Sequence, residues 1–94
     1  MSLDILKEVF DVVMDRIENP KLNSYVSKLT KAGLEKVLSK VKEESEELIE
    51  ASKIGSKVEI IHEAVDLIFH TLILLALKNI TLEEIFEEFK RRRR

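Results

Sequence analysis

From Pro20 onward the sequence contains no second proline, and its two glycines, Gly33 and Gly55, stand far apart. A chain so poor in turn-forming residues and in aromatics cannot supply the frequent tight turns of a β-protein. Apolar residues instead recur at helical spacing along most of its length. The expected fold is all-α: a helical bundle of about five helices, two of them long and antiparallel, in one domain over residues 1–94. A domain of 94 residues buries a limited share of its surface, and association of copies is a common remedy.

Leu3, Leu6, Val9, Phe10, Val13 and Ile17 predict a first helix over about 3–18, with Ser2 as its cap and Asp4 near its positive end. Asn19-Pro20 ends it, and residues 19–23 connect. Ser24 opens a short helix from Tyr25 to about Ala32, and Gly33 is a joint to the next. Leu34, Val37, Leu38, Val41, Leu48 and Ala51 mark the expected buried face of a long third helix, which stops near Ile54-Gly55. Ser56 and Glu59 have capping-box spacing, so a fourth helix starts there and runs to about Lys78. From Leu67 it is apolar on almost every side, as in a helix buried all round. So small a monomer cannot surround it, which predicts a homodimer. Asn79 ends this helix, Thr81 and Glu84 repeat the capping box, and Leu82, Ile85, Phe86 and Phe89 give a short last helix before Arg91–Arg94.

A net charge of −2 offers no electrostatic basis for nucleic-acid binding. The absence of cysteine excludes disulfides and thiolate metal sites and permits a cytoplasmic location. The N-terminus is amphipathic and acidic rather than a signal peptide. Leu67–Leu77 alone is too short for a bilayer, which needs about 20 residues, so no membrane partner is expected.

Function is expected where acidic residues break the apolar pattern. On the third helix Glu44 falls on the line of Val41 and Leu48, with Glu47 and Lys40 beside it, whereas Glu43, Glu46 and Glu50 point toward water. A run of glutamates is ordinarily a solvated face, which accounts for the outer three but not for Glu44. A carboxylate on a core stripe must shift its pKa, find a partner or bind a cation. On the fourth helix Glu59, Glu63, Asp66 and His70 step along one stripe, with no lysine or arginine between Glu59 and Asp66. If the two helices pack antiparallel, Glu44, Glu47, Glu63 and Asp66 meet, and a divalent cation resolves their repulsion. Oxygen ligands favour Mg²⁺, Mn²⁺ or Ca²⁺ over zinc. Such a metal bridges phosphates and generates hydroxide, and Lys28, Lys36 and Lys40 lie close enough in sequence to complete a phosphate site. His62 points well off the Glu63–Asp66 line and reads as a surface or interface side chain. Glu59-x-x-His62 lacks the second such pair that a di-iron bundle needs. His70 either orients a carboxylate or substrate or is a hydrogen-bonded core histidine.

Ser24-Tyr25-x-x-Lys28-Leu29, Gly33-Leu34-x-Lys36, Lys40-Val41-x-Glu43-Glu44-x-x-Glu47 and Glu63-Ala64-x-Asp66-Leu67-x-Phe69-His70 occur in order. In these the chain resembles the phosphoribosyl-ATP pyrophosphohydrolases of histidine biosynthesis, within the MazG-like all-α nucleotide pyrophosphohydrolases, over about residues 5–94. The resemblance implies a homodimer that hydrolyses phosphoribosyl-ATP between its α- and β-phosphates with Mg²⁺, or Mn²⁺ in its place. It implies Glu44, Glu47, Glu63 and Asp66 as metal ligands and Glu43 as a neighbour that helps activate water. It implies phosphate contacts from Lys28, Lys36 and Lys40, and substrate-side roles for Tyr25, His70 and Arg16. Lys42 and Ser45 depart from the glycine and alanine usual in the family and touch no implied ligand. The competing readings are a house-cleaning nucleoside triphosphate pyrophosphohydrolase and a non-catalytic, metal-binding helical dimer.

Overall fold

A computed structural model of the chain describes residues 4–93. Five helices and no strand are found among them: α1 (Asp4–Glu18), α2 (Tyr25–Ala32), α3 (Leu34–Ile54), α4 (Lys57–Leu77) and α5 (Leu82–Arg92). The fold is all-α, as the scarcity of turn residues requires. Ser2, Leu3 and Arg94 lie outside the described residues, and with them the proposed first cap and the end of the arginine run.

The caps are those the sequence marks. The Ser24 hydroxyl accepts from the Ser27 amide at 3.1 Å and starts α2 at Tyr25. Ser56 with Glu59, and Thr81 with Glu84, both form reciprocal capping boxes. Gly33 ends α2 and begins α3 at φ 106°, ψ 169°, a region essentially reserved for glycine. Asn79, at φ 58°, follows α4, and the Ile80 amide returns to the Leu75 carbonyl at 2.9 Å.

Gly55 and Ser56 are the whole connection between α3 and α4, each 21 residues long. The Gly55 amide donates to the Ala51 carbonyl at 2.7 Å, so close that an added Cβ would lie 2.7 Å from the same oxygen. The chain therefore folds back sharply, and α3 packs antiparallel along α4. Residues equally distant from Gly55 come side by side across the hairpin: Val37 with Ile73 in the core, and Glu47 with Glu63 in the acidic cluster.

The core runs from α1 through α2 and α3 to α4, with Val13, Val26, Leu29, Val37 and Ile73 at its centre. A smaller cluster of Phe10, Leu72 and Leu82 seats α5 against α1 and α4. One expectation needs correction for the single chain. Leu34 and Leu38, placed on the buried face of α3, are 38% and 40% exposed, because they flank the line through Val37, Glu44 and Ala51 that α3 turns inward. Mostly upstream of the segment from Leu67 expected to be buried with the help of a second subunit, Val58, Ile61, Val65 and Ile68 form an outward stripe of α4, each between 49% and 75% exposed.

By length and composition α4 as a whole is long and apolar enough to cross a membrane, although its Leu67–Leu77 part alone is not. It is nevertheless a bundle helix. Glu63 and Asp66 face acidic partners on α3, and carboxylates at mid-span are costly in lipid.

Candidate active site

Midway along the hairpin, α3 presents Glu44 and Glu47, and α4 presents Glu63 and Asp66. One carboxylate oxygen from each of the four lies within 4.8 Å of the others. The three-residue step within each helix keeps each pair on one face, and the register set at Gly55 brings the two faces together.

Glu44 is 4% exposed. Its Oε1 lies 3.2 Å from the Lys40 ammonium, whereas Oε2 is buried without a hydrogen-bond partner. Burial pushes its carboxyl above the usual range. Lys40 pulls it down, and the carboxylates of Glu47 and Asp66 push it further up. Glu47, at the open edge, is also raised, chiefly by the closely approaching Glu63 carboxyl. Oε2 of Glu63 is a second buried acceptor without a partner. The donor set is all oxygen, and two of its oxygens are desolvated and unsatisfied. This is what a hard divalent ion requires and what an acidic surface patch lacks.

The other anticipated residues lie at varying distances from the cluster. Lys40 belongs to it, its ammonium bridging Glu44 and, at 3.5 Å, the half-exposed Glu43. Lys28 and Lys36 are exposed on α2 and at the start of α3. The Arg16 guanidinium is engaged by Asp15 at 2.6 Å. Its backbone carbonyl accepts from the Ser27 hydroxyl at 2.8 Å, which ties the end of α1 to α2.

Tyr25, the first residue of α2, reaches across to α4, where its hydroxyl meets Nε2 of His70 at 2.7 Å. Burial raises the Tyr25 pKa, against the opposing pull of Lys40. His70 is 4% exposed, and its Nδ1 lies 2.8 Å from the Asp66 carbonyl. Of the two roles open to His70, the structure shows the hydrogen-bonded core histidine. Both ring nitrogens are occupied.

His62 is a surface side chain, 70% exposed, yet its Nε2 lies 3.5 Å from Asp66 Oδ2 and 3.9 Å from Glu63 Oε1. Helical-wheel direction placed it off the stripe. The four-residue step from His62 to Asp66, a contact spacing on any helix, was the signal that linked them. Beside the cluster opens a cleft of about 340 Å³ lined by Glu46, Glu47, Glu50, Ala51, Ile54, Glu59 and Glu63. At the far end of the chain Arg91 and Arg92 both pair with Glu88, drawing its carboxyl below the usual range.

The arrangement can hold a divalent cation against phosphate, and comparison with known proteins points the same way. The model of a family described as phosphoribosyl-ATP pyrophosphohydrolase matches residues 6–93. A phosphoribosyl-ATP pyrophosphatase of Methanocella arvoryzae is 50% identical over 93 residues, covering 97% of this chain and 98% of its own. One of Methanococcoides burtonii is 50% identical over 94 residues, covering 98% and 95%. A histidine biosynthesis bifunctional protein HisIE of Thermoanaerobacter pseudethanolicus is 46% identical over 84 residues, covering 89% of this chain and 39% of that longer protein.

Proposed function

The chain belongs to the phosphoribosyl-ATP pyrophosphohydrolase family, and from that membership we propose that it hydrolyses the α–β phosphoanhydride of phosphoribosyl-ATP, releasing phosphoribosyl-AMP and pyrophosphate, with Mg²⁺ held by Glu44, Glu47, Glu63 and Asp66. The observation that carries the metal assignment is the buried, unpartnered Oε2 of Glu44 among three further carboxylates. Mn²⁺ suits the same oxygen set. A cation bound there supplies charge for the phosphate oxygens and acidifies a water.

The chain's own groups do the rest. The four carboxylates offer a cleft that repels a bare triphosphate, so substrate and metal bind together. Glu43, half-exposed and beside Lys40, can take a proton from an attacking water. Lys40 offsets the charge on Glu44 and, with Lys28 and Lys36, offers ammonium groups to the phosphates. Tyr25 and Arg16 stand on the substrate side. A second copy of the chain covers the apolar stripe of α4, making a homodimer, and the reaction belongs to cytoplasmic histidine biosynthesis. Neither a membrane nor a nucleic acid has a part in it.

Pyrophosphate release is to be measured against phosphoribosyl-ATP and a panel of ordinary and damaged nucleoside triphosphates. Phosphoribosyl-ATP should be preferred, with no turnover in EDTA. Asp66→Asn should lose Mg²⁺-dependent release while keeping its helical circular dichroism. Full turnover in that variant refutes the ligand assignment, and preference for a damaged triphosphate would make the chain a house-cleaning hydrolase. Sedimentation at micromolar concentration should give a dimer, and a stable monomer removes the role given to the α4 stripe.

A further inference from the structure

The link from the Asp66 backbone through His70 to Tyr25 determines what Tyr25 can recognise. A carbonyl oxygen only accepts, so the 2.8 Å contact from His70 Nδ1 to the Asp66 carbonyl places the imidazole proton on Nδ1. In the neutral ring Nε2 is then a lone pair, and the hydroxyl 2.7 Å away must donate to it. The surroundings fix the position of both rings. His70 is buried, Phe69 and Tyr25 stand edge-on to its ring at centroid distances of 5.6 and 5.7 Å, and Ser24 caps the helix that Tyr25 begins. The single phenolic proton of Tyr25 is thus committed inward. Its oxygen keeps lone pairs but has no hydrogen to offer, although the residue as a whole is 47% exposed.

Phosphate oxygens at neutral pH accept hydrogen bonds and do not donate them. A phenol whose proton is taken has nothing to give them. We propose that Tyr25 is a specificity-determining acceptor for an N–H or O–H donor on the nucleoside part of the substrate, and that His70 is the positioning residue that imposes this polarity by taking the Tyr25 proton. The inference rests on the hydrolase reading and deepens it. It separates the phosphate-facing residues, Lys28, Lys36 and Lys40, from a residue that reads the part of the ligand carrying hydrogen-bond donors.

The test uses the full chain with Mg²⁺ and two non-nucleotide competitors of phosphoribosyl-ATP turnover. Inorganic tripolyphosphate has phosphates alone, and ribose 5-triphosphate adds hydroxyls but no base. A neutral hydrogen bond corresponds to roughly a three- to tenfold effect. Tyr25→Phe should raise KM for phosphoribosyl-ATP by about that factor with kcat within about twofold, as expected for loss of uniform binding. Its inhibition constant for tripolyphosphate should not move. A weakened ribose 5-triphosphate constant identifies the donor as a sugar hydroxyl, and an unchanged one identifies it as a group on the base, both in support. His70→Leu should reproduce the Tyr25→Phe effect and add nothing to it in the double variant. His70→Gln, which keeps an acceptor toward Tyr25, should restore KM, an outcome that a purely structural role for His70 does not give. Equal losses for tripolyphosphate and phosphoribosyl-ATP in Tyr25→Phe, or no loss for either, overturn the inference and leave the hydrolase reading standing. Absence of phosphoribosyl-ATP turnover by the unaltered protein overturns both.

Discussion

Replacing Glu44 with glutamine should make the metal-free protein more stable and the metal-loaded protein less so. Glu44 is 4% exposed, and the charged carboxylate is disfavoured there despite Lys40 at 3.2 Å, because burial and the neighbouring carboxylates outweigh that one ammonium. An unsatisfied buried acceptor such as its Oε2 costs about 1–3 kcal/mol. Glutamine has the same shape. Its oxygen can still accept from Lys40, and its amide N–H groups can donate toward Glu47 or Asp66. Glu44→Gln should therefore gain about 1–3 kcal/mol in EDTA, which for a domain of this size is roughly 5–15 °C in Tm. Under saturating Mg²⁺ the order reverses. A ligand present at about a thousand times its Kd adds about 4.1 kcal/mol to a native state that binds it, more than the gain of about 1–3 kcal/mol in EDTA, and the variant lacks one of the four oxygens that would do so. Thermal or urea unfolding of both proteins, at one protein concentration, with EDTA and then with Mg²⁺, should show the stabilities crossing. A variant less stable than the natural chain in EDTA, or equal stabilisation of both by Mg²⁺, would refute the account of Glu44 as a repelled, cation-seeking carboxylate.

The raised carboxyls of Glu44 and Glu47 give the metal-free protein a pH dependence of definite sign. Between the ordinary value of 4.5 and the higher folded values the native chain binds more protons than the unfolded one, so stability falls as pH rises through that window and levels off above it. The difference in Tm between the natural chain and Glu44→Gln across a pH series isolates the contribution of Glu44, and a contribution that grows more stabilising with rising pH would contradict it. Ile73→Ala, at a site with no exposure between α1, α2 and α3, should cost about 2–5 kcal/mol by urea denaturation. Gly33→Ala meets no atom within 4 Å, so any loss comes from forcing an L-residue to φ 106°; about 1–3 kcal/mol is expected, and a neutral result would mean that the joint relaxes.

The helices were legible because their signals are local. Ser24, Ser56 and Thr81 each stand at the start of a helix, Gly33 and Gly55 at the ends, and the spacing of Phe10, Val13 and Ile17 names the inward face of α1. Glu44 was legible too, since one carboxylate on the line of Val37, Val41 and Leu48 contradicts the period that defines the line, and the structure buries it. The positions of Glu47, Glu63 and Asp66 on their own helices followed from the same period. What that period cannot supply is the distance between two helices, or which exposed apolar residues stay uncovered, as Leu34, Leu38 and the stripe from Val58 to Ile68 do in the single chain.

Sequence by itself determined five helices, their caps and one carboxylate out of place, because hydrogen bonding and side-chain direction within a helix depend on neighbours a few positions away. Tertiary structure alone decided that Gly55 brings Glu47 opposite Glu63, that Lys40 neutralises only one oxygen of Glu44, and that the Tyr25 hydroxyl meets His70. Those contacts join α2, α3 and α4, and the spacing between helices is set by the volume of the side chains packed between them rather than by the period of any one.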